Sequence, residues 1–344
     1  MDHSEKIVGC LLGGAVGDAL GLPYEGLARA RVAGLLGDRP LGHALIAGRG
    51  MISDDTEHAC MTAQALLAAR GDPVAFARSL HRRLRGWLLG LPAAVGWGTL
   101  RALLKMWCGA PPGRSGVRSA GNGPAMRAAI LGACLGPDRL EPFVAASTRL
   151  THTDPRALAG ALAIARAAAA AVHTAGAPPQ IVADIRARTD DGELAAALDL
   201  ALAHHARGDA PAVYASALGQ VDGVSGYIHH TVPVALYCWL SAPRDVRRAV
   251  ESAVRLGGDT DTVAAIVGGL VGASAGASQI PPSWLAGLWE APRSAAWIRR
   301  LGERLAAPGA SGPLPLAWYL LPPRNLAFLV IVLGHGFARL LRLR

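Results

Sequence analysis

Lysine is nearly missing from this chain: of 34 basic residues in 344, only Lys6 and Lys105 are lysines, and the other 32 are arginines. Beside abundant alanine and glycine, that bias reads as compositional before it reads as functional. Cysteine is scarce as well, and the five present, Cys10, Cys60, Cys108, Cys134 and Cys238, are odd in number, scattered and mostly in apolar context. They exclude a disulfide framework and predict free, buried thiols in a reducing cytosol. Almost no stretch alternates with period two, so a substantial sheet is excluded and an all-α fold is expected. Aromatic residues make up 5% of the chain, and no stripe of arginines interleaves with exposed ones, which leaves no nucleic-acid signature. The net charge of +9 would draw in an anionic substrate, although a solvated basic surface accounts for most of it. Asp2 and Glu5 beside Lys6 argue against a secretory signal at the N-terminus.

What is present is concentrated in two acidic stretches. Gly257-Gly258-Asp259-Thr260-Asp261-Thr262 stands at the head of an apolar segment, Val263 onward, with small residues on every side. Such a segment reads as a helix packed all round, so its N-terminus lies inside the protein. Two carboxylates in that position require donors or cations, because isolated buried charge is too costly. A helix N-cap role would explain one of them and not the pair with Thr262. Ser53-Asp54-Asp55-Thr56 opens a second helical pattern, and adjacent carboxylates that repel one another make best sense with cations between them and Asp259 and Asp261. Four carboxylates with the hydroxyls of Ser53 and Thr262 form a hard oxygen set suited to Mg2+ or Mn2+ and not to zinc.

The residues also carry a resemblance. Gly13-Gly14-Ala15-Val16-Gly17-Asp18-Ala19-Leu20-Gly21-Leu22-Pro23-Tyr24-Glu25, Ser53-Asp54-Asp55-Thr56, Gly121-Asn122-Gly123-Pro124-Ala125-Met126-Arg127, Thr151-His152 and Gly257 to Thr262 resemble, in order, the motif set of the ADP-ribosylglycohydrolase family. The resemblance spans roughly Ile7 to Gly276 and implies an all-helical fold with a binuclear Mg2+ or Mn2+ centre at helix N-termini. It implies hydrolysis of the bond between ADP-ribose and an acceptor, so the partner is an ADP-ribose-bearing substrate, an ADP-ribosylated protein first of all. By the same resemblance Glu25 is the proton-handling glutamate. Ser53, Asp54, Asp55, Asp259, Asp261 and Thr262 hold the metals. Ser119, Gly121, Asn122 and Gly123 cradle the diphosphate and distal ribose, with His152 and Tyr227 lining the rest of the substrate pocket. Relatives often carry an aromatic residue before the Gly-Asn-Gly, where this chain has Ala120.

Around these motifs the chain reads as one large catalytic domain, residues 1–306, and a C-terminal appendage, 307–344. Residues 23 to 51 lose periodicity and are rich in glycine and arginine, as expected of a surface loop or lid. His229 and His230 invite a metal reading, set aside because the oxygen site is already complete; a surface pair is expected. The proline-rich stretch after 313 leads to an apolar helix over 326–341, whose dense core is shorter than the roughly 20 residues of a spanning helix. It is expected to dock on the domain, with a membrane-surface anchor through Arg339, Arg342 and Arg344 as the alternative. The functional expectation is a cytoplasmic hydrolase. A silent ADP-ribose-binding module and a membrane-tethered scaffold are the competing classes.

Overall fold

Every fourth residue along one face of the first helix is a glycine, Gly9, Gly13, Gly17 and Gly21, and this stripe determines how the centre of the molecule is laid down. The protein is described here by a computed structural model over residues 2–93, 95–174, 176–310 and 312–341. In chain order these form α1 (His3–Gly21), α2 (Arg29–Leu36), α3 (Asp54–Ala69), α4 (Pro73–Leu88), α5 (Trp97–Trp107), α6 (Ala129–Leu135), α7 (Leu140–Thr151), α8 (Pro155–His173) and α9 (Pro178–Ala187). There follow α10 (Gly192–Ala206), α11 (Pro211–Ala217), α12 (Ile228–Ser241), α13 (Val246–Arg255), α14 (Thr260–Ala275), α15 (Pro282–Gly287), α16 (Ala295–Ala306) and α17 (Leu321–Leu341). Among the described residues the only β pairing is a handful of isolated bridges, so the all-α expectation holds.

α1 and α14 lie antiparallel with their backbones in contact. A Cβ at Gly9, Gly13, Gly17 or Gly21 would overlap the carbonyl oxygen of Gly272, Gly268, Ala264 or Thr260 respectively. The partner numbers fall by four as the glycine numbers rise by four, which is one unbroken antiparallel register. Small residues at this spacing let two helices approach more closely than any Leu or Val would permit. The register has a chemical consequence: Asp18, one residue beyond Gly17, is carried to the N-terminus of α14, where Asp261 stands. Helices α3, α6, α8, α12, α13 and α16 enclose the pair, so that every residue of α14 except Ser274 is buried.

Three expectations are corrected. The stretch expected as loop contains α2, a helix too short to show a period because only Val32 and Leu36 of its residues are buried. Cys108 is exposed and Cys134 half-buried, because Cys108 closes α5 at the surface. His229 is buried and not superficial, since its ring nitrogens face Glu193 at 3.1 Å and Asp191 at 3.5 Å from α10 and its N-cap.

The chain after 313 folds back over the domain. Phe328 of α17 is buried against Leu22, Leu45 and Met51. Two polar anchors precede it: Arg324 pairs with Glu290 at 2.6 Å and Asn325 donates to the Gly90 carbonyl at 2.6 Å. Arg342 and Arg344, expected to flank this helix, lie outside the described residues.

Candidate metal centre

Two helices begin at the same point in the interior. Ser53 is the N-cap of α3, accepting from the Asp55 N–H at 3.3 Å. The next unsatisfied N–H groups of that helix are met from another element. The Asp18 carboxylate of α1 accepts from the Ser53 N–H at 2.9 Å, the Thr56 N–H at 3.2 Å and the Thr56 hydroxyl. Helix α14 begins differently. Asp259 occupies its N-cap position yet makes no side-chain cap bond; its carboxylate instead accepts from the Asn122 amide at 2.6 Å. An ordinary capping role therefore does not account for Asp259, and its carboxylate faces the site.

Between these termini Asp55 Oδ2 accepts from the hydroxyls of Ser53 at 3.2 Å and Thr262 at 3.1 Å. Residues some two hundred positions apart are thus in direct contact. One carboxylate oxygen each of Asp18, Asp55 and Asp261 lies within 4.8 Å of the others. Asp55 Oδ1 and Asp261 Oδ1 are buried with no hydrogen-bond donor. Unpaired buried carboxylate oxygens in a group of like charges are strongly disfavoured. Burial first, then the neighbouring acids, raise the carboxyls of Asp54, Asp55 and Asp261 well above the ordinary range. Asp18 is pushed up to about 6 by burial, its hydrogen bonds from Thr56 and Ser53 acting in the opposite direction. A hard divalent cation fits this donor set, because it would meet the two orphaned oxygens and relieve the repulsion at once. The N-terminal dipoles of α3 and α14 favour the same carboxylates.

At the mouth, Glu25 follows the short 3-10 turn Leu22–Tyr24 and keeps a solvent-exposed edge. Partial desolvation raises its carboxyl, and Asp259 and Asp18 add to the effect. Asn122 is fixed on three sides, donating to Asp259 and to Thr231 Oγ1 at 3.0 Å while its N–H meets the Gly226 carbonyl at 3.1 Å. Ser119 Oγ accepts from the Gly121 N–H at 3.3 Å and shapes the glycine turn. His152 is buried directly behind that turn: a Cβ at Gly121 or Gly123 would stand 3.4 or 3.2 Å from its ring. Burial, with Arg127 nearby, pushes His152 down to about 3, so the ring is neutral. Tyr227 is half-buried, its backbone bridged to Gly121 of the turn and its hydroxyl donating to Glu193 at 2.8 Å.

Two residues of the site were quoted in motifs yet given no role in the sequence reading. Asp18 is one, and a lone acid in the otherwise apolar run from Ile7 to Gly21 was the available signal. Arg127 is the other. Fully buried, it donates to the Gly123 carbonyl at 3.0 Å, the Thr151 hydroxyl at 2.7 Å and Ser147, and so ties the glycine turn to the end of α7.

A sequence-family model described as ADP-ribosylglycohydrolase matches residues 1–313. The chain belongs to the ADP-ribosylglycohydrolase family. It is 32% identical over 302 residues to an uncharacterized protein of Archaeoglobus fulgidus, covering 83% of this chain and 92% of that one. It is 29% identical over 290 residues to the ADP-ribosyl-[dinitrogen reductase] glycohydrolase of Rhodospirillum rubrum, covering 83% and 90%. A solved structure titled ADP-ribosylglycohydrolase-related protein complex superposes with a TM-score of 0.67 at 27% identity, covering 88% of this chain and 98% of that one. As a member of this family the protein is a hydrolase acting on glycosyl bonds. The family match ends before α17 begins.

Proposed function

We propose that this ADP-ribosylglycohydrolase cleaves the glycosidic bond between ADP-ribose and an acceptor, the first candidate being an ADP-ribosylated protein, with two Mg2+ or Mn2+ ions. The ions would be held by Ser53, Asp54, Asp55, Asp259, Asp261 and Thr262. The observation that carries the reading is the pair of buried, donorless oxygens on Asp55 and Asp261 at the meeting point of two helix N-termini. When bound, the ions supply positive charge that orients the ribose hydroxyls and stabilises negative charge developing at oxygen.

The chain's own groups do the rest. Glu25, with its raised carboxyl at the solvent edge, is placed to pass a proton between water and the departing group at C1 of the ribose. Asn122, held between Asp259 and Thr231, would orient the ribose over the acids. The Ser119 to Gly123 turn has no Cβ at Gly121 or Gly123, so a diphosphate could approach its backbone closely. Neutral His152 backs that turn, and Tyr227 is bridged to it at Gly121. Five free thiols suit a cytosolic enzyme. The test is release of ADP-ribose from substrates joined through arginine, serine and ester linkages, with and without Mg2+ or Mn2+. Release from at least one linkage that chelation abolishes is expected. Binding of ADP-ribose without release from any of them would favour the silent module instead.

A further inference from the structure

Among the described residues three helices are long and apolar enough to cross a membrane by length and composition, and they differ in burial. The most apolar windows of His3–Tyr24 and Pro155–His173 are 94% and 61% buried, whereas that of Trp318–Arg339, which contains most of α17, is 11% buried. Among the described side chains of α17, every exposed position is apolar, glycine or proline. Leu326, Val330, Leu333 and Phe337, at 65, 63, 53 and 65% exposure, succeed one another at helical spacing as one stripe. The polar residues face the other way. Arg324 and Asn325 are anchored as described, His335 bonds the Pro23 carbonyl at 3.3 Å, and Arg339 is half-buried close to Tyr24. A helix facing water carries its charges outward. This one is inverted, so its outer face is suited to an apolar medium.

The chemistry around the stripe identifies that medium. A helix pairing with a second copy would flank its seam with charged residues, but the flanks here are Ala327, Leu329, Gly334 and Ala338. At the start of the helix Trp318 and Tyr319 are 72 and 65% exposed, the amphipathic aromatics that settle at a membrane interface. At the other end, α17 borders a cavity of about 350 Å³ lined by Arg31, Arg39, Arg339, His43 and His335, with no carboxylate among its lining residues. A basic recess beside an apolar ridge complements an anionic lipid surface, phosphate headgroups against the arginines and acyl chains against the ridge. We infer that the outer face of α17 docks this protein on an anionic bilayer, the helix lying in the interface and its inner face still held to the domain. The inference does not depend on the proposed reaction.

Flotation with vesicles of phosphatidylcholine alone, or mixed with phosphatidylglycerol, tests this on the full chain, because aggregates sink and only vesicle-bound protein rises. The wild type should float with the anionic vesicles, less with neutral ones, and less at high salt. Val330→Glu with Leu333→Glu should stay at the bottom while keeping the wild-type melting curve, as both side chains are exposed. Arg31→Gln with Arg39→Gln should weaken binding to anionic vesicles by about fivefold per arginine removed. Wild type that does not float with anionic vesicles, or a double-Glu variant that floats as well as wild type, overturns the inference. A wild-type dimer that the double-Glu variant dissociates, with no flotation of either, assigns the face to a second copy and overturns it equally.

Discussion

α14 and α17 are both apolar helices, and they are built in opposite senses. In α14 the polar groups are gathered at the first turn, inside the protein, and small residues behind them let the backbone of α1 come into contact. In α17 the polar groups line the inner face and the large apolar side chains point out. Mean hydropathy does not separate the two cases; the size of the side chains and the placement of the few polar ones do. Gly and Ala on all sides mark a helix meant to be enclosed. Leu, Val and Phe along one face with arginine and asparagine opposite mark a helix that is anchored from one side only. Asp259 and Asp261 of the candidate site stand at the head of the first kind, where register is fixed by backbone contact.

The largest effect should come from disturbing that register. Gly13→Leu sets a side chain against the Gly268 backbone, which cannot yield as a flexible side chain could, and the cost should exceed the ~1–3 kcal/mol of ordinary overpacking. Loss of soluble, helical protein is expected; a folded Gly13→Leu enzyme with normal turnover would dispose of the backbone-contact account. Next in size is Glu25→Gln, at the point where the two regions meet, since α17 touches Pro23. Turnover should fall by about 10²- to 10⁴-fold, the range for a general acid–base group, while calorimetry finds ADP-ribose binding retained. A parallel loss of affinity would make Glu25 a binding or metal-holding group.

Much of this was legible in the sequence because it is chemically expensive there. Asp259, Asp261 and Thr262 ahead of an enclosed helix, and Asp54 beside Asp55 at another, require a common partner wherever they occur, and so they could be joined without knowing the fold. Asp18 could not be given its part so easily. Its carboxylate serves the N-terminus of α3 from the last turn of α1, and only the packing of α1 against α3 brings those two helix ends together. His229 escaped for a related reason, its acidic partners Asp191 and Glu193 lying more than thirty residues earlier. Helix α2 was missed because two buried positions are too few to show a period. For α17 composition told of an apolar helix, but which face would turn outward depended on where Arg324 and Asn325 found Glu290 and Gly90.

A pH series on chelated protein sharpens the contrast from the α14 side. Asp54, Asp55 and Asp261 have folded-state carboxyls held well above their unfolded values, so the folded state binds more protons than the unfolded. Stability is therefore greatest at low pH and lost as pH rises through the folded values. Below about 6.5, the unfolded histidine value, His58 and His152 act in the opposite sense because burial lowers both. The clean window starts above that. From there upward the metal-free melting temperature should fall, each carboxyl still protonated contributing a slope of about 1.4 kcal/mol per pH unit. Added Mg2+ or Mn2+ should reverse the trend, and Asp55→Asn should flatten it. A melting temperature independent of pH between neutrality and mild alkali would mean that the acids ionise freely without a cation.

The smallest expected effect is the most discriminating for α17. Leu326 and Phe328 are two residues apart on one helix, both large and apolar, yet Leu326 is 65% exposed and Phe328 3% exposed. If the outer face is built for a medium other than the rest of the protein, removing its side chains should leave the protein in solution nearly indifferent. Leu326→Gln is thus expected to change unfolding free energy by less than about 0.5 kcal/mol, the ordinary range for a surface site. Phe328→Ala empties the contact with Leu22, Leu45 and Met51 and should cost roughly 3 kcal/mol or more against undocking of the helix. Limited proteolysis between 313 and 321 reads that undocking directly, since a released helix exposes the proline-rich connection. Equal protection in the two variants would show that α17 is held by Arg324 and Asn325 alone. A large loss of stability in Leu326→Gln would show instead that the stripe is already covered by protein in solution.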